Sequence, residues 1–210
     1  AGVPHREHER SAEEWWQMKL LVATHNRGKA VEIAELLAGL PVQVVTLADI
    51  APELDTPETG STFAENARQK ALAASAATGL LTLADDSGLA VDALDGAPGV
   101  YSKRFALDDE QRVAKMLQLL HDLPVGKRTA AFHCAVCLAD ANGVVAELEA
   151  TAPGIIIDIP RGTNGFGYDP IFQPDGFTIT MAEMSMAEKN AISHRGKAFR
   201  QAAEILRGIL

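Results

Sequence analysis

Cysteine, long apolar segments and an excess of positive charge are all scarce in this 210-residue chain, and each scarcity excludes a class of protein. Two cysteines are too few for a disulfide framework and fit a reducing compartment. The apolar runs are far shorter than a membrane span, and no charged-then-apolar leader opens the chain, so we expect a cytoplasmic protein that binds no membrane. A formal net charge of -9 disfavours nucleic acid polymers as partners.

The remaining composition is that of a soluble globular protein, with 47% apolar and 22% charged residues. Residues 1–17 contain a charged run from His5 to Arg10 and are predicted to form a flexible N-terminal extension. His5 and His8 could clamp a metal there, although a solvated tail is the simpler interpretation. Residues 18–210 are long enough for one domain, or for two lobes that share a core.

Apolar periodicity alternates between strands and helices along residues 18–210. Short apolar runs predict strands at 20–23, 42–47, 80–84, 131–139, 144–151 and 155–159, with a hairpin turn at Asn142-Gly143. Helices are predicted from about Lys29, from the Thr62 cap toward Gly79, after Asp108 or Asp109, and after Ser193. This mixture predicts an α/β fold with a mixed central sheet and flanking helices.

The first polar block, Thr24-His-Asn-Arg-Gly-Lys29, falls in the turn between the first strand and the first helix. A helix N-terminus presents free amides to an anion, Lys29 adds positive charge, and Thr24 and Asn26 add donors. The spacing is not that of a Walker loop. The block therefore indicates either a phosphate-binding turn or a capped turn with a solvated lysine.

A second group lies on the helix after Thr62, where Phe63, Asn66 and Lys70 share one face. Asn66 and Lys70 could reach a phosphate or hold a carboxylate. Alternatively, they mark the edge of a core to which Phe63 belongs.

Asp85-Asp86-Ser87-Gly88 places two carboxylates side by side at a strand end. Their repulsion requires a cation or donors, and Mg²⁺ prefers carboxylate oxygens, water and phosphate. Because neighbours on an extended strand point in opposite directions, one aspartate should bind the metal and the other support it, with Glu58 as the second metal carboxylate. The alternative is an Asx turn, with extended chain resuming at 89–94 after a Ser-Gly turn.

The glycine-rich stretch 161–169 carries Phe166 and Tyr168. Aromatic faces beside flexible backbone suit base stacking, although the stretch could equally be a loop whose aromatics fold into the core. Three further donors stand near the last helix: Lys189, His194 and Arg195. A donor at Arg195 or His194 could distinguish a 6-oxo purine from adenine, whereas an isolated histidine is more often structural.

The sequence has no second cysteine pair beside Cys134 and Cys137. On the predicted strand their side chains should also point to opposite faces. Zinc or redox chemistry is therefore not expected of them.

Taken in order, these blocks resemble the inosine triphosphate pyrophosphatase family. The motifs are Thr24-x-Asn26-x-x-Lys29, Glu58-Thr-Gly60 with Phe63-Ala-Glu-Asn66, Ala84-Asp-Asp-Ser-Gly88, Gly96-Ala-Pro-Gly-Val-Tyr-Ser102, Gly165-Phe-Gly-Tyr-Asp-Pro170, and Lys189 with Ser193-His-Arg-Gly196. The resemblance implies an elongated two-lobed α/β fold, usually a homodimer. It also implies Mg²⁺-dependent hydrolysis of ITP, dITP and XTP to the monophosphate and pyrophosphate, which cleanses the nucleotide pool.

Roles follow position by position from the resemblance. Asp86 corresponds to the catalytic proton acceptor and a metal ligand, and Glu58 to the second metal carboxylate. The residues that would bind the purine nucleoside triphosphate are Thr24, His25, Asn26, Arg27, Gly28, Lys29, Ser87, Phe166, Gly167, Tyr168, Asp169, Lys189, His194 and Arg195. Asn66, Lys70 and Asp85 would support them, and either aspartate could take the proton.

The chain departs from the family pattern at His25, at Ala152, where many members have tryptophan, and after Arg104, where the chain is shortened. Three other functions compete with the one implied: a pyrophosphatase for pyrimidine nucleotides, a nucleotide sensor without catalysis, and a flavin or dinucleotide oxidoreductase. The oxidoreductase is disfavoured because no G-x-G-x-x-G follows the first strand.

Overall fold

The computed structural model describes residues 18–210, so the predictions for residues 1–17 lie outside the described part. The strands are β1 Lys19–Val22, β2 Gln43–Thr46, β3 Leu81–Val91, β4 Thr129–Asp140, β5 Gly143–Ile156 and β6 Phe172–Pro174. The helices are α1 Arg27–Leu36, α2 Leu47–Ile50, α3 Phe63–Thr78, α4 Asp109–Leu119, α5 Met186–Ile192 and α6 His194–Ile209. Short 3₁₀ turns include Gly99–Arg104 and Asp169–Ile171.

The six strands form one mixed sheet in the order β2-β1-β3-β4-β5-β6. β1 pairs in parallel with β2 and β3, whereas β3, β4, β5 and β6 pair antiparallel in succession. The predicted α/β class with a mixed central sheet and flanking helices is thereby confirmed. Of the helices in residues 18–210, none combines the length and the hydrophobicity needed to cross a bilayer.

The turn expected at Ser87-Gly88 is wrong, and so is the alternative of an Asx turn over Asp85–Gly88, because these residues lie inside the continuous strand β3. β4 pairs with them residue for residue, from Asp85 opposite Val136 to Gly88 opposite His133. This ladder satisfies their backbone groups and outweighs the turn-favouring composition. The separate strand expected at 155–159 is also wrong, since β5 itself runs through to Ile156.

Most predicted helix boundaries are confirmed by their caps. Thr62 and Glu65 form a capping box at the start of α3, and Gly79 ends that helix in the left-handed conformation at φ 69°. Asp108 caps α4 and Ser193 caps α6. The seven-residue helix α5 was not anticipated, since it is too short to give a clear apolar period.

Different helices cover the two faces of the sheet, and this decides where the β3 side chains point. α1 and α6 pack on one face, around Leu20, Leu83 and Phe199. α3 packs on the other face through Ala67, Ala71 and Ala74, beside Ala84 of β3. Because side chains alternate along a strand, odd-numbered residues of β3 near the site face α1 and α6 and even-numbered residues face α3.

Candidate active site

A cavity of about 460 Å³ opens where the β1–α1 turn, β3, the 161–169 loop and the start of α6 meet. The predicted site residues that line it are Thr24, His25, Asn26, Gly28, Lys29, Glu58, Lys70, Asp86, Ser87, Phe166, Gly167, Tyr168, Asp169, Lys189, His194 and Arg195. Arg27 does not line it, because its side chain lies on the exposed side of α1. Asn66 and Asp85 are buried behind the cavity wall and contact residues that line it.

The β1–α1 turn is held by its own side chains. Thr24 Oγ1 accepts a hydrogen bond from Asn26 N at 3.1 Å, and Asn26 Oδ1 accepts one from Lys29 N at 3.1 Å. A Cβ atom at Gly28 would lie 2.8 Å from Phe166 Cδ1, so glycine permits the aromatic loop to contact this turn. His25 Nε2 lies 2.7 Å from Leu54 O.

Asp85 faces the α1 and α6 side and is surrounded by cations. Lys29 Nζ donates to its Oδ2 at 2.8 Å, Arg195 Nε lies 3.6 Å away, and Ser87 Oγ donates to it at 3.1 Å. Burial alone would raise the pKa of Asp85, but the charges of Lys29 and Arg195 outweigh burial and hold that pKa well below its ordinary value. Burial in turn lowers the pKa of Lys29, against the charge of Asp85. Asp85 is thus an ionised carboxylate held by cations at Oδ2, whereas its buried Oδ1 has no hydrogen-bond partner within residues 18–210.

Asp86 points the opposite way, toward α3. Asn66 Nδ2 donates to its Oδ2 at 2.9 Å, and Lys70 Nζ lies 3.9 Å from its Oδ1. Lys70 Nζ donates more closely to Glu58 Oε1, at 2.8 Å, and to the Asp85 carbonyl oxygen, at 2.7 Å. Burial raises the pKa of Asp86 despite the opposing charge of Lys70. The pKa values of the two adjacent aspartates are therefore shifted in opposite directions.

Glu58 and Lys70 complete this side of the cavity. Burial would raise the pKa of Glu58, but Lys70 outweighs it and the net shift is downward. Burial lowers the pKa of Lys70, yet the negative charges of Asp85, Asp86 and Glu58 together raise it above its ordinary value. Glu58, Asp86 and Lys70 thus bring two carboxylates and one lysine together on this side of the cavity.

Glu32 is a buried acid that the sequence analysis missed. It lies on α1, is 1% exposed, and accepts hydrogen bonds from Lys189 Nζ at 2.7 Å and from Arg195 Nη1 at 2.5 Å. Lys189 also donates to Asp169 Oδ2 at 2.5 Å. The sequence could have indicated Glu32, because it directly precedes the apolar Ile33 and so lies on the inward face of α1. Glu32 and Asp169 thus hold the two cations in place.

The aromatic residues of the 161–169 loop have different positions. Phe166 lines the cavity, with Lys189 Nζ 4.8 Å and Arg195 Cζ 5.5 Å from its ring centroid. Tyr168 is 4% exposed, packs in the core and donates its hydroxyl to Ser102 O at 3.0 Å. Burial raises the pKa of Tyr168. Of the two, Phe166 is the ring free to stack on a base.

His194 lies on the floor of the cavity, stacked on Phe132 with ring centroids 4.7 Å apart. Burial and the neighbouring Arg195 lower the pKa of His194 well below its ordinary value, so the imidazole is neutral. Its buried Nδ1 atom has no hydrogen-bond partner within residues 18–210. Because Nδ1 is buried, Nε2 is the ring nitrogen that could exchange a hydrogen bond with a ligand in the cavity.

The carboxylates suit a magnesium ion that is shared with substrate phosphates. Over the described range 18–210, no three His, Cys, Asp or Glu side chains cluster closely enough to hold a metal by themselves. Mg²⁺, however, is usually bound by one or two carboxylates together with phosphates and water. Glu58 and Asp86 both line the cavity beside Lys70, so the donor set fits this mode of binding.

Asp109 and Arg112 of α4 also line the cavity and were not predicted as site residues. Asp109 Oδ2 accepts a hydrogen bond from Gly167 N at 2.7 Å, and Arg112 donates to the other carboxylate oxygen of Asp109. Only the cap signal at 108–109 was visible in the sequence. Nothing in the spacing linked α4 to a loop more than fifty residues away.

Comparison with known proteins identifies the family. A model of the Ham1 family matches residues 20–205. The chain belongs to the Ham1 family. This confirms the resemblance drawn from the ordered motifs.

Individual Ham1-family relatives agree over nearly the whole described chain. The dITP/XTP pyrophosphatase of Desulforamulus reducens is 50% identical over 192 residues, covering 90% of this chain and 96% of the relative. The dITP/XTP pyrophosphatase of Geobacter sulfurreducens is 49% identical over 183 residues, covering 86% of this chain and 92% of the relative. The structure of a HAM1 protein from Coxiella burnetii superposes with a TM-score of 0.81 at 42% identity, covering 91% of this chain and 100% of that one.

Proposed function

We propose that this nucleoside triphosphate pyrophosphatase hydrolyses ITP, dITP and XTP to the monophosphate and pyrophosphate with the help of Mg²⁺, and so cleanses the nucleotide pool. The enzyme class is supported by curated relatives named dITP/XTP pyrophosphatase at 50% and 49% identity. The observation that carries the proposal is one buried carboxylate, Asp86, on the wall of a cavity that also holds the phosphate turn and an aromatic loop.

Asp86 is the better proton acceptor of the two aspartates. Asp85 is paired with Lys29 and close to Arg195, which stabilise its ionised form and make it a weak base. Asp86 lines the cavity, where an attacking water would lie, whereas Asp85 is buried behind the cavity wall. Burial also raises the pKa of Asp86. Asn66 fixes the direction in which the carboxylate of Asp86 points. We therefore assign deprotonation of the attacking water to Asp86.

Several groups of this chain can hold the triphosphate. The cations Lys29 and Lys70 bind phosphate oxygens, while the N-terminus of α1 offers backbone amides and Thr24 its hydroxyl. Glu58 and Asp86 would hold Mg²⁺, which when bound offsets the charge that develops on the phosphate oxygens. The pairing of Lys70 with Glu58 keeps the lysine between the two metal carboxylates.

Recognition of the base would fall to the opposite side of the cavity. Phe166 offers a ring face, and base stacking on an aromatic side chain contributes about 1–3 kcal/mol. Arg195 and the neutral His194 can donate to the 6-oxo group that inosine and xanthine carry and adenine lacks. Lys189 positions Phe166 by contact with its ring face, and Asp169 by accepting a hydrogen bond from Phe166 N.

Location and assembly follow as parts of the same proposal. We place the enzyme in the cytoplasm, acting on a small nucleotide and on neither a nucleic acid polymer nor a membrane. We also propose that it is a homodimer. Light scattering on the purified protein measures the mass directly, and a monomer at micromolar concentration would contradict the proposed dimer.

The decisive experiment measures pyrophosphate and monophosphate released from ITP, XTP, GTP, dTTP and UTP, with Mg²⁺ and with a chelator. We expect release from ITP and XTP far above that from dTTP and UTP, and only with Mg²⁺. GTP carries the same 6-oxo group, so its rate measures how far that group alone decides recognition. Asp86→Asn should lower kcat by at least about 100-fold, because it removes the general base. Circular dichroism should show the variant folded. Binding of ITP without pyrophosphate release by the wild type would instead indicate a sensor, and preference for dTTP or UTP a pyrimidine enzyme.

A further inference from the structure

We propose that Asp109 is a positioning residue that holds the 161–169 loop where Phe166 meets the base. The proposal rests on the function given above and adds a residue from α4 to the site. Its basis is a contact that crosses the cavity, from the first residue of α4 to the backbone of Gly167.

Both carboxylate oxygens of Asp109 are engaged. Oδ2 accepts from Gly167 N at 2.7 Å, and Oδ1 accepts from Arg112, one helical turn later on α4. The arginine therefore fixes the orientation of the carboxylate that receives the loop amide. Gly167 has φ 64°, a conformation in which glycine is unstrained, so its amide can face α4.

The other contacts of the loop lie mostly on its own side of the cavity. Thr163 N and Asn164 N donate to Ala182 O, Asn164 Nδ2 donates to Met184 O, and Phe166 N donates to Asp169 Oδ2. Within residues 18–210, two hydrogen bonds join the loop to the opposite wall, one from Gly167 N to Asp109 and one from the Tyr168 hydroxyl to Ser102 O.

These two cross-cavity contacts differ in burial. The Tyr168 hydroxyl is buried in the core, whereas 47% of the Asp109 side chain is exposed. A substitution at Asp109 can therefore free the loop without opening the core.

Loss of the Asp109 contact should affect binding more than chemistry. Gly167 directly follows Phe166, so a shift of its amide moves the ring that stacks on the base. The phosphate side, with Lys29, Lys70 and Asp86, makes no contact with Asp109. Stacking lost equally in the ground state and the transition state raises KM and leaves kcat unchanged.

The chain offers both a conservative variant and a neighbouring control. Asp109→Ala removes the acceptor and should raise KM for ITP about tenfold, equivalent to about 1.4 kcal/mol, with kcat changed less than about twofold. Asp109→Asn keeps an acceptor oxygen and should stay within about twofold of the wild-type KM. Asp108→Ala removes the α4 cap, which accepts from Gln111 N at 2.8 Å, and should lower Tm without raising KM. An equal rise in KM for Asp108→Ala, or none for Asp109→Ala, would overturn the proposal.

Hydrogen exchange followed by mass spectrometry tests the same contact without any turnover. Peptides covering residues 161–169 should exchange faster in Asp109→Ala than in the wild type, and at the wild-type rate in Asp109→Asn and Asp108→Ala. Unchanged exchange in Asp109→Ala refutes the positioning role whatever the kinetics show. A wild-type protein that releases no pyrophosphate from ITP refutes the proposed function alone, and the exchange result then still decides the role of Asp109.

Discussion

Replacing Glu32 by glutamine tests whether the buried charge network holds the base side of the site together. Glu32 is 1% exposed and bonds both Lys189 and Arg195, which are themselves 3% and 2% exposed. Removing one partner of a buried ion pair usually destabilises a protein by about 3–5 kcal/mol, because the remaining charge is left uncompensated. Glutamine keeps one acceptor oxygen, so we expect a destabilisation at the lower end of this range, about 3 kcal/mol.

Thermal unfolding followed by circular dichroism measures this loss. About 3 kcal/mol corresponds to a fall in Tm of about 6–12 °C for a chain of this size. Glu35→Gln is the matched control, since Glu35 lies one turn further along α1, is exposed, and only accepts from Asn190 Nδ2 at 3.2 Å. We expect its Tm within about 1 °C of the wild type, as for most surface substitutions.

The pH dependence of the Tm difference between wild type and Glu32→Gln tests independently whether the charge of Glu32 stabilises the fold. Burial would raise the pKa of Glu32, but Arg195 and Lys189 outweigh it and hold the pKa below the ordinary value of 4.5. A carboxylate with a lowered pKa in the folded state contributes stability above pH 4.5 and loses it as the pH falls through the folded-state pKa. The Tm difference between wild type and Glu32→Gln should therefore narrow on going from pH 7 to below pH 4.5. A variant as stable as the wild type at pH 7, or a difference independent of pH, would refute this reasoning.

Two further predictions concern the aromatic loop and the cysteines. Phe166→Ala should raise KM for ITP about tenfold through lost stacking, with steady-state kinetics as the measurement and Phe177→Ala, an exposed phenylalanine outside the cavity, as the control. An unchanged KM would remove Phe166 from the base site. Burial raises the pKa of Cys134 to about 12 and that of Cys137 to about 11, so iodoacetamide at pH 8 should label both only after unfolding. Rapid labelling of the native protein would contradict this burial.

Local signals in the sequence were enough for the elements whose ends carry a cap or a turn. The Thr62 capping box, Gly79 and the Asp108 and Ser193 caps all stand where they were expected. The hairpin between β4 and β5 is also present, but its two turn residues are 141–142, one position before the expected Asn142-Gly143. Most of the site residues predicted from the motifs likewise line one cavity. Local signals succeed where a few neighbouring residues decide the conformation.

Two of the differences have a common physical cause, which is partners that are distant in sequence. Asp85–Gly88 has the composition of a turn, but β4 supplies the hydrogen bonds that keep it a strand. Glu32 was not predicted as a site residue, because its partners, Lys189 and Arg195, lie more than 150 residues away. Arg27 was assigned to the phosphate turn by its motif, yet the helical period turns it outward to solvent.

The strand at 85–88 also explains how two adjacent acids can serve one site without repelling each other. A turn would have allowed both carboxylates to point to the same side, where one of them would be protonated or would need a shared ion. In β3 the backbone sends Asp85 toward Lys29 and Arg195 and sends Asp86 toward Asn66 and Lys70. The result is a pKa lowered at Asp85 and raised at Asp86. One step along the strand thus separates a structural charge, which orders Lys29 on the phosphate side and Arg195 on the base side, from a carboxylate that lines the cavity.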